Sequence, residues 1–538
     1  MKKKRVLGAI LAGAMLMGIF AACAPAAAPT TPVQTPAQGT STTPAQAAAP
    51  AAQADAAHEA QTGFQRGLRV AGMSEPSSIA PGQHSVLNGH FMNTMVNNAL
   101  FRVHEEGLTP VNDLITGWTA VSDTVFEFYL REGVLFHNGD EMTAHDVSES
   151  WYYVRNYPNQ RTVHVGIESW EVIDRYTIRL DTGTPHAVLF NDLAHQGNMI
   201  MPASLIEAGH DFHADPVGSG PFAFEEWRAG EYISFTAFEN YFDEERFPRL
   251  GYVHWRFVPE GSSRTIALET GELDFLVDVA TPDVPRLEGS SDITVMQRPG
   301  ATFSYFMLNN DRHPFDNIHV RHAIDMALDR DAMIIASVDG FGIPIRTSMP
   351  TMFPGSSEEG TRSFDPAGAQ ALLAEHNLDP ATLGFEVLAF DEVQRRRAEV
   401  VQANLADIGI PMTITMIDQA AWSDVTVAGD FDASFANLTA NALPVFMRNM
   451  FTIDMIGVRN SSRVYNHELD EVIMRAVVTM DESVRTALLE EASKIANEHA
   501  GLLGTNMNIV IRAFDSNLVV PELAANGFMF KNVMYWAE

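Results

Sequence analysis

Two places in this sequence have residue types that could bind a metal ion. His210 and His213, with Asp211 and Asp215 beside them, could share one face of a helix. His137 stands in the tetrapeptide Phe-His-Asn-Gly, which is typical of a turn. Because no larger cluster of carboxylates or cysteines accompanies these histidines, we expect structural roles for them and no bound metal.

Motifs that would indicate catalysis do not occur in the sequence. It contains no Gly-x-Ser-x-Gly nucleophile elbow, no His-Glu-x-x-His zinc helix and no Gly-x-x-x-x-Gly-Lys-Ser/Thr phosphate loop. Gly218 and Gly220 form a Gly-x-Gly pair, but Ala223 occupies the place of the third glycine of a dinucleotide-binding loop. We therefore expect a protein that is not an enzyme and that uses no cofactor.

The composition excludes several other classes of protein. The chain has 35 Lys and Arg residues and 68 Asp and Glu residues, which gives a formal net charge of −33. A polyanion of this kind lacks the basic surface that nucleic-acid phosphates require. Cys23 is the single cysteine, so a disulfide framework, Cys-rich zinc modules and iron–sulfur clusters are excluded.

The N-terminus predicts an export signal followed by a lipid anchor. A basic segment at residues 2–5 precedes an apolar segment at 6–20, which is shorter than the roughly 20 residues that span a bilayer. The sequence Phe-Ala-Ala-Cys that follows resembles the bacterial lipobox. We expect a lipoprotein signal peptide at 1–22, lipidation of Cys23 and an Ala/Pro/Thr-rich linker at 23–63. An ordinary cleavage site is the alternative.

The elements that would position a site follow from the hydrophobic pattern beyond residue 64. Strand and helix periods alternate there, which predicts an α/β fold with mixed sheets. Phe126, Phe128 and Leu130 share one face of a strand predicted within 122–130. Further predicted elements are a helix opened by a capping box at 143–146, a helix opened by Asp365-Pro366, a helix from about 391 to 408 and a strand at 412–417.

An amphipathic helix is predicted shortly after Phe315. Val320 and Ile324 belong to an apolar pattern with the helical spacing i, i+3, i+4. Arg321 and Asp325 are four residues apart on this helix. We therefore expect these two side chains to form an ion pair at the surface or on the hinge side.

Four blocks of sequence occur in a fixed order along the chain. The first, from Asp113 to Val147, contains Leu-Arg-Glu-Gly, Phe-His-Asn-Gly and Thr-Ala-His-Asp-Val. The others are Pro-Val-Gly-Ser-Gly-Pro-Phe at 216–222, Thr-Gly-Glu-Leu-Asp at 270–274 and Pro-Phe-Asp-Asn at 314–317. Together they resemble the solute-binding proteins of peptide and nickel ABC importers, known as extracellular solute-binding family 5. The resemblance covers nearly the whole body of the chain.

This resemblance implies a two-lobed, periplasmic-binding-protein-like clamp of type II, in the large class with an extra subdomain in the first lobe. Lobe I would comprise residues 64–305 with that subdomain, lobe II would comprise 306–510, and 511–538 would return to lobe I. The two chain crossings would form a hinge. Ligand enclosed between the lobes would favour the closed state through the contacts that form only there.

The resemblance also indicates where a ligand amine would be bound. Peptide-binding members hold the ligand backbone as an added strand and its ammonium with a buried aspartate. The family usually shows Gly-Trp and then Asp where this chain has Asn437-Leu438 and Asn441. Asn441 is neutral, so it cannot neutralise an ammonium, although its carbonyl could accept a hydrogen bond from one. Either another acid serves as the anchor, or the ligand lacks a free amine.

Other ligand-binding candidates follow from their positions relative to the family pattern. An ordinary core or surface role is the alternative for each of them. They are Met73, Ser74 and Glu75 after the first strand, Tyr305 and Asn309 at the chain crossing, Trp422 as an aromatic wall, Asn441, and Arg448 as a bidentate partner for a carboxylate.

We expect the chain to capture oligopeptides or dipeptides in the periplasm or at the outer face of a bacterial membrane. It would act as a monomer, deliver them to an ABC permease with ATPase subunits, and bind no nucleic acid. The same role for a nickel chelate, an oligosaccharide or another non-peptide solute is the alternative that Asn441 leaves open. A secreted hydrolase and a sensory or adhesive surface protein without a permease are the remaining classes.

Overall fold

The structure is a computed structural model that describes residues 66–83, 87–104, 109–156, 166–440, 442–521 and 533–537. The predicted signal peptide, the lipidation site Cys23, the linker and Asn441 lie outside the described residues. Within the described ranges, no helix is both long enough and apolar enough to cross a membrane.

The strands are numbered in chain order. They are β1 (Leu68–Gly72), β2 (Phe101–Val103), β3 (Pro110–Asn112), β4 (Ile115–Ala120), β5 (Val125–Leu130), β6 (Ser169–Asp174), β7 (Thr177–Asp181), β8 (Phe222–Arg228), β9 (Tyr232–Ala237), β10 (Tyr252–Phe257), β11 (Phe275–Leu276), β12 (Ile293–Leu308), β13 (Gly342–Pro344), β14 (Phe385–Ala389), β15 (Met412–Met416), β16 (Ala433–Thr439), β17 (Leu502–Asp515), β18 (Leu518–Val519) and β19 (Tyr535–Trp536).

The helices follow in the same order. They are α1 (Leu87–Val96), α2 (Ala144–Arg155), α3 (Leu189–Leu193), α4 (Ala203–Glu207), α5 (Gly261–Glu269), α6 (Val284–Glu288), α7 (Ile318–Ala327), α8 (Arg330–Val338), α9 (Pro366–Glu375), α10 (Glu392–Asp407), α11 (Gln419–Ala428), α12 (Leu443–Phe451), α13 (His467–Val478) and α14 (Glu482–His499).

A large mixed sheet organises the described part of the chain. Its strand order is β15-β14-β16-β12-β17-β11-β1-β10-β9-β8, and β13 pairs with β17. Parallel pairs occur in both halves, where β1 pairs with β10 and β14 pairs with β15. A separate antiparallel sheet has the order β4-β5-β7-β6. Its buried face packs with α2 around Trp151. The predicted α/β class is confirmed.

Two long strands join the halves of the large sheet. β12 and β17 pair antiparallel along most of their length, with a register shift between Pro299 and Phe303. On one side of this shift β17 pairs with β11, and on the other side β12 pairs with β16. A shift of this kind bends a strand and increases its twist. The irregular segment therefore lies where the two halves of the sheet meet.

Most of the elements predicted from periodicity and capping are confirmed. β5 buries Phe126, Phe128 and Leu130, as the period-two pattern indicates. The capping box at Thr143 and Asp146 opens α2. Other confirmed elements are the amphipathic helix α7, the helix α9 with its N-cap Asp365, the helix α10 between the N-cap Asp391 and Gly409, and the strand β15.

The predicted ion pair between Arg321 and Asp325 is wrong. Both side chains are buried. Arg321 donates from Nε to the His499 carbonyl at 2.9 Å and from Nη1 to the Phe315 carbonyl at 2.7 Å. Asp325 pairs with Arg330, at 2.5 Å between Oδ1 and Nη2. The i, i+4 rule describes exposed helix faces, and on this buried face the unpaired carbonyls bind the guanidinium instead.

His210 and His213 do not share a helix face, because they lie in a turn after α4. His210 Nε2 lies 2.7 Å from the Asp215 carbonyl oxygen, and the His213 ring contacts Trp227 with centroids 5.2 Å apart. No group of three or more potential metal ligands occurs among the described residues.

Candidate ligand-binding site

A cavity of about 490 Å³ lies beside the C-terminal end of β16. One wall comes from β16 and α12, including Asn437, Thr439, Arg448 and Asn449. A second wall comes from residues 186–195, more than two hundred residues earlier in the chain. A volume of 300–1,000 Å³ is typical of sites for small molecules.

Helix α12 is positioned by a strongly amphipathic sequence. Pro444 stands in its first turn, where the missing N–H of proline costs no helical hydrogen bond. Leu443, Met447 and Phe451 pack into the core of this half of the sheet. The polar side chains of Arg448 and Asn449 consequently lie along the cavity.

The second wall is built on the short helix α3. Asp192 lies in this helix, and its backbone carbonyl accepts a hydrogen bond of 2.7 Å from the Asn198 side chain. His186 Nε2 donates to Asp192 Oδ2 at 2.7 Å. The Ala187 N–H donates to the Val477 carbonyl of α13 at 3.0 Å, so this wall is attached to the half that carries α12.

The walls carry opposite charges. Asp192 is the acidic residue among the cavity-lining residues that the structure describes, and Arg448 and Arg459 are the basic ones. Burial raises the pKa of the Asp192 carboxyl, while the hydrogen bond from His186 and the charge of Arg448 act in the opposite direction. Arg448 is 21% exposed and lies 3.8 Å from Asp454.

A smaller cavity of about 60 Å³ lies next to the first, since both are lined by Leu438, Met450 and Arg459. Trp422 lines this second cavity. Its indole Nε1 donates to Ser434 Oγ at 2.6 Å, which fixes the ring against the sheet. The structure therefore brings two predicted site residues, Trp422 and Arg448, to adjoining cavities.

The other described candidates lie away from these cavities. Met73 and Ser74 are exposed, and Glu75 accepts hydrogen bonds from Trp227 Nε1 at 2.7 Å and from the Gly230 N–H at 3.0 Å.

Tyr305 and Asn309 are buried. Tyr305 packs behind Phe446, and burial raises the pKa of its hydroxyl. Asn309 Nδ2 donates to the carbonyls of Gly429 and Phe431 at 3.0 and 2.8 Å, which holds the loop before β16.

A cavity lined by two segments that are far apart in the chain suits a protein that binds a small solute. Residues 109–452 match the family model of bacterial extracellular solute-binding proteins, family 5, middle region. The chain belongs to this family. As a family 5 protein it is an extracytoplasmic substrate-binding component of an ABC importer.

Known proteins similar to this family 5 chain include binders of different solutes. The glutathione-binding protein GsiB of Salmonella paratyphi A is 25% identical over 453 residues, which are 78% of this chain and 85% of GsiB. The periplasmic binding protein DppA of Helicobacter pylori, solved with the peptide STSA, is 23% identical with a TM-score of 0.78, covering 88% of this chain and 99% of DppA.

AgaA of A. tumefaciens R10, solved with agropinic acid, is 23% identical with a TM-score of 0.76. The match covers 88% of this chain and 99% of AgaA. These structural likenesses confirm the predicted clamp fold.

Asp192, His186, His195 and Arg459 line the cavity of this family 5 protein but were not predicted from sequence. No local motif marks them, and the blocks that resemble the family lie elsewhere. Only the folding of residues 186–195 against α13 brings Asp192 and His186 to the same space as Arg448. Residues that are more than two hundred positions apart in the chain can contact each other without producing any local periodic pattern in the sequence.

Proposed function

We propose that this protein captures peptides by adding their backbone to the free edge of β16. β12 pairs with β16 as far as Thr439, whereas β14 pairs with it only at Ala433 and Ser434. The far half of β16 therefore has one edge without a neighbouring strand among the described residues, and this edge borders the cavity. This free edge is the observation that carries the proposal, because an extended peptide can form main-chain hydrogen bonds along it.

The backbone groups of β16 alternate in direction from residue to residue, and this alternation indicates which N–H and C=O groups point to the free edge. The Ala440 N–H donates to Ala301 on the β12 side, and the Phe435 carbonyl accepts from Gln394 on the other side. Successive residues of a strand point their backbone groups in opposite directions. The N–H and C=O groups of Asn437 and Thr439 therefore face the free edge.

The names of two relatives support a peptide ligand. GsiB is a glutathione-binding protein, and DppA was solved with a tetrapeptide. The opposite charges of the cavity walls suit a molecule that carries both an ammonium and a carboxylate. The ligand class of this chain would then be di- or oligopeptides, with glutathione included as a modified tripeptide.

The remaining parts of the importer follow from this role. The protein would act as a monomer, held to the membrane by lipidation of Cys23 after removal of residues 1–22, with 23–63 as a linker. Lobe I (64–305), lobe II (306–510) and the return segment (511–538) would close on the ligand by bending β12 and β17 near their register shift. The closed form would dock on a permease, and ATPase subunits would supply the energy.

A non-peptide solute is the second candidate. AgaA, which has the same fold, was solved with agropinic acid, and the sequence has Asn441 where peptide-binding members have aspartate. A solute with carboxylates and hydroxyls but no free amine would suit Arg448 and Arg459.

Isothermal titration calorimetry with trialanine, glutathione and agropinic acid separates these candidates. The matched variants are Thr439→Pro, which removes a backbone N–H on the free edge, and Thr439→Ala, which keeps it. We expect the wild type and Thr439→Ala to bind a peptide, and Thr439→Pro to bind it at least tenfold more weakly, with its fold checked by circular dichroism. Binding of agropinic acid alone would contradict peptide capture.

A further inference from the structure

This chain lacks the residue that usually binds the ligand amine in the family, because asparagine (Asn441) replaces the family's amine-binding aspartate in this sequence. Asn437 lies on the cavity wall, and its Oδ1 accepts a hydrogen bond from Ser304 Oγ at 2.6 Å. Neutral amides do not compensate the cost of removing an ammonium from water, which is several kcal/mol for an unpaired buried charge. A peptide with a free N-terminus would need a carboxylate elsewhere in the cavity.

Asp192 is the carboxylate that the described cavity offers. Of its two oxygens, Oδ2 accepts from His186, and Oδ1 has no hydrogen bond to any described residue. The side chain is 16% exposed and lines the cavity. Oδ1 is therefore available to a donor inside the cavity.

The position of Asp192 is fixed by contacts within its own segment of the chain. Its backbone N–H donates to the Val188 carbonyl, and its carbonyl accepts from Asn198 and from the His195 N–H. The His186 side chain, which is only 8% exposed, holds the carboxylate from the other side. A charge held in this way loses little conformational freedom on binding, so most of the charge-assisted hydrogen bond strengthens the affinity.

The positions of the charged side chains around the cavity determine which way a zwitterionic ligand would be oriented. Arg448 and Arg459 line the cavity from segments other than α3. The charge of Arg448 opposes the rise that burial causes in the pKa of the Asp192 carboxyl, yet the two side chains form no ion pair within 4.0 Å. The space between them can be occupied by a zwitterion whose ammonium faces Asp192 and whose carboxylate faces the arginines.

The geometry points to Asp192, braced by His186, as the binding site for the ligand ammonium, so that the wall of residues 186–195 replaces the family's aspartate. This inference rests on the proposed peptide ligand. It adds that the anchor comes from a different segment of the chain. Because the Ala187 N–H binds the Val477 carbonyl, the anchor is in place only when this wall contacts α13.

The test compares trialanine with N-acetyl-trialanine by isothermal titration calorimetry. The variants are Asp192→Asn and Asp192→Ser, and the matched control is Asp424→Asn, which removes an exposed acid on α11. We expect both Asp192 variants to bind trialanine at least tenfold more weakly than the wild type, since a charge-assisted hydrogen bond is lost. Binding of N-acetyl-trialanine should not change, which also shows that the variants are folded.

Three outcomes are distinguishable. If the Asp192 variants bind trialanine as tightly as the wild type and Asp424→Asn do, the inference falls while peptide capture stands. If the wild type does not prefer trialanine over its N-acetyl form, no ammonium anchor exists and the inference also falls. If the wild type binds neither trialanine nor glutathione, the proposed function fails and the inference fails with it.

Discussion

At the scale of single residues, motif residues of the first three blocks form contacts within the frame of the fold and do not line the cavity. His137 of the first block places Nε2 2.9 Å from the Gly220 carbonyl of the second block, and the Gly218 N–H donates to His137 Nδ1 at 3.4 Å. Asp274 of the third block accepts hydrogen bonds from the backbone and side chain of Arg69 in β1. These residues hold the frame on which the site is built.

Gly220 is expected to tolerate no side chain. A Cβ at this position would lie 2.3 Å from the Met95 carbonyl oxygen and 2.4 Å from the Val96 carbonyl carbon, at the end of α1. Because these are backbone atoms, they cannot move without disturbing the helix. Gly220→Ala should lower the free energy of unfolding by about 2 kcal/mol or more in chemical denaturation.

Gly117→Ala is the matched control for this substitution, because no atom lies within 4 Å of the Cβ that it would add. Its free energy of unfolding should stay within about 0.5 kcal/mol of the wild type. Equal stabilities of the two variants would contradict the close approach of the second block to α1.

At the scale of elements, caps and periodicity predicted most of what the structure contains. Thr143 and Asp146 open α2, and Asp391 and Gly409 bound α10, because these residues satisfy helix ends locally. The predicted ion pair of Asp325 was wrong because contacts between different elements determine the partner of a buried side chain. Asp325 binds Arg330 because α7 is buried, and its local pattern contains no information about that burial.

Lowering the pH should destabilise the protein, because burial keeps three histidines neutral in the folded state. Burial lowers the pKa of His137 to about 4, and likewise lowers the pKa of His322 to about 4 and of His499 to about 3. The unfolded state, with pKa near 6.5, binds protons that the folded state does not. The stability that these neutral histidines contribute is therefore fully present above pH 6.5 and is lost as the pH falls toward 4. The loss is up to roughly 1.4 kcal/mol per pH unit for the well-buried His137 and His499, and less for the more exposed His322.

The variant His137→Gln isolates one of these histidines. The comparison is needed because buried carboxyls with a raised pKa, such as Asp113 and Asp278, change stability in the opposite direction as the pH falls. Urea denaturation between pH 7 and pH 5 should show a smaller loss of stability for His137→Gln than for the wild type. Parallel curves for the two proteins would indicate that His137 is not held neutral.

At the scale of the whole molecule, the fold class and the family could be predicted from sequence, but the cavity could not. The resemblance covers nearly the whole body, and it implied the clamp that the structural likenesses confirm. It also led to Arg448 and Trp422 as candidates, and both residues line the adjoining cavities next to β16. Asp192 and His186 could not be predicted, because only the contact of residues 186–195 with α13 brings them to the cavity.

Native mass spectrometry of the protein from Ala24 onward tests peptide capture most directly. The protein would be measured as purified, again after gentle unfolding to strip bound ligand, and then after refolding with a pool of di- to hexapeptides. We expect peptide masses to dissociate on stripping and to rebind from the pool in a one-to-one complex. A refolded protein that gains no mass from the pool would contradict peptide capture and would leave a non-peptide solute as the ligand.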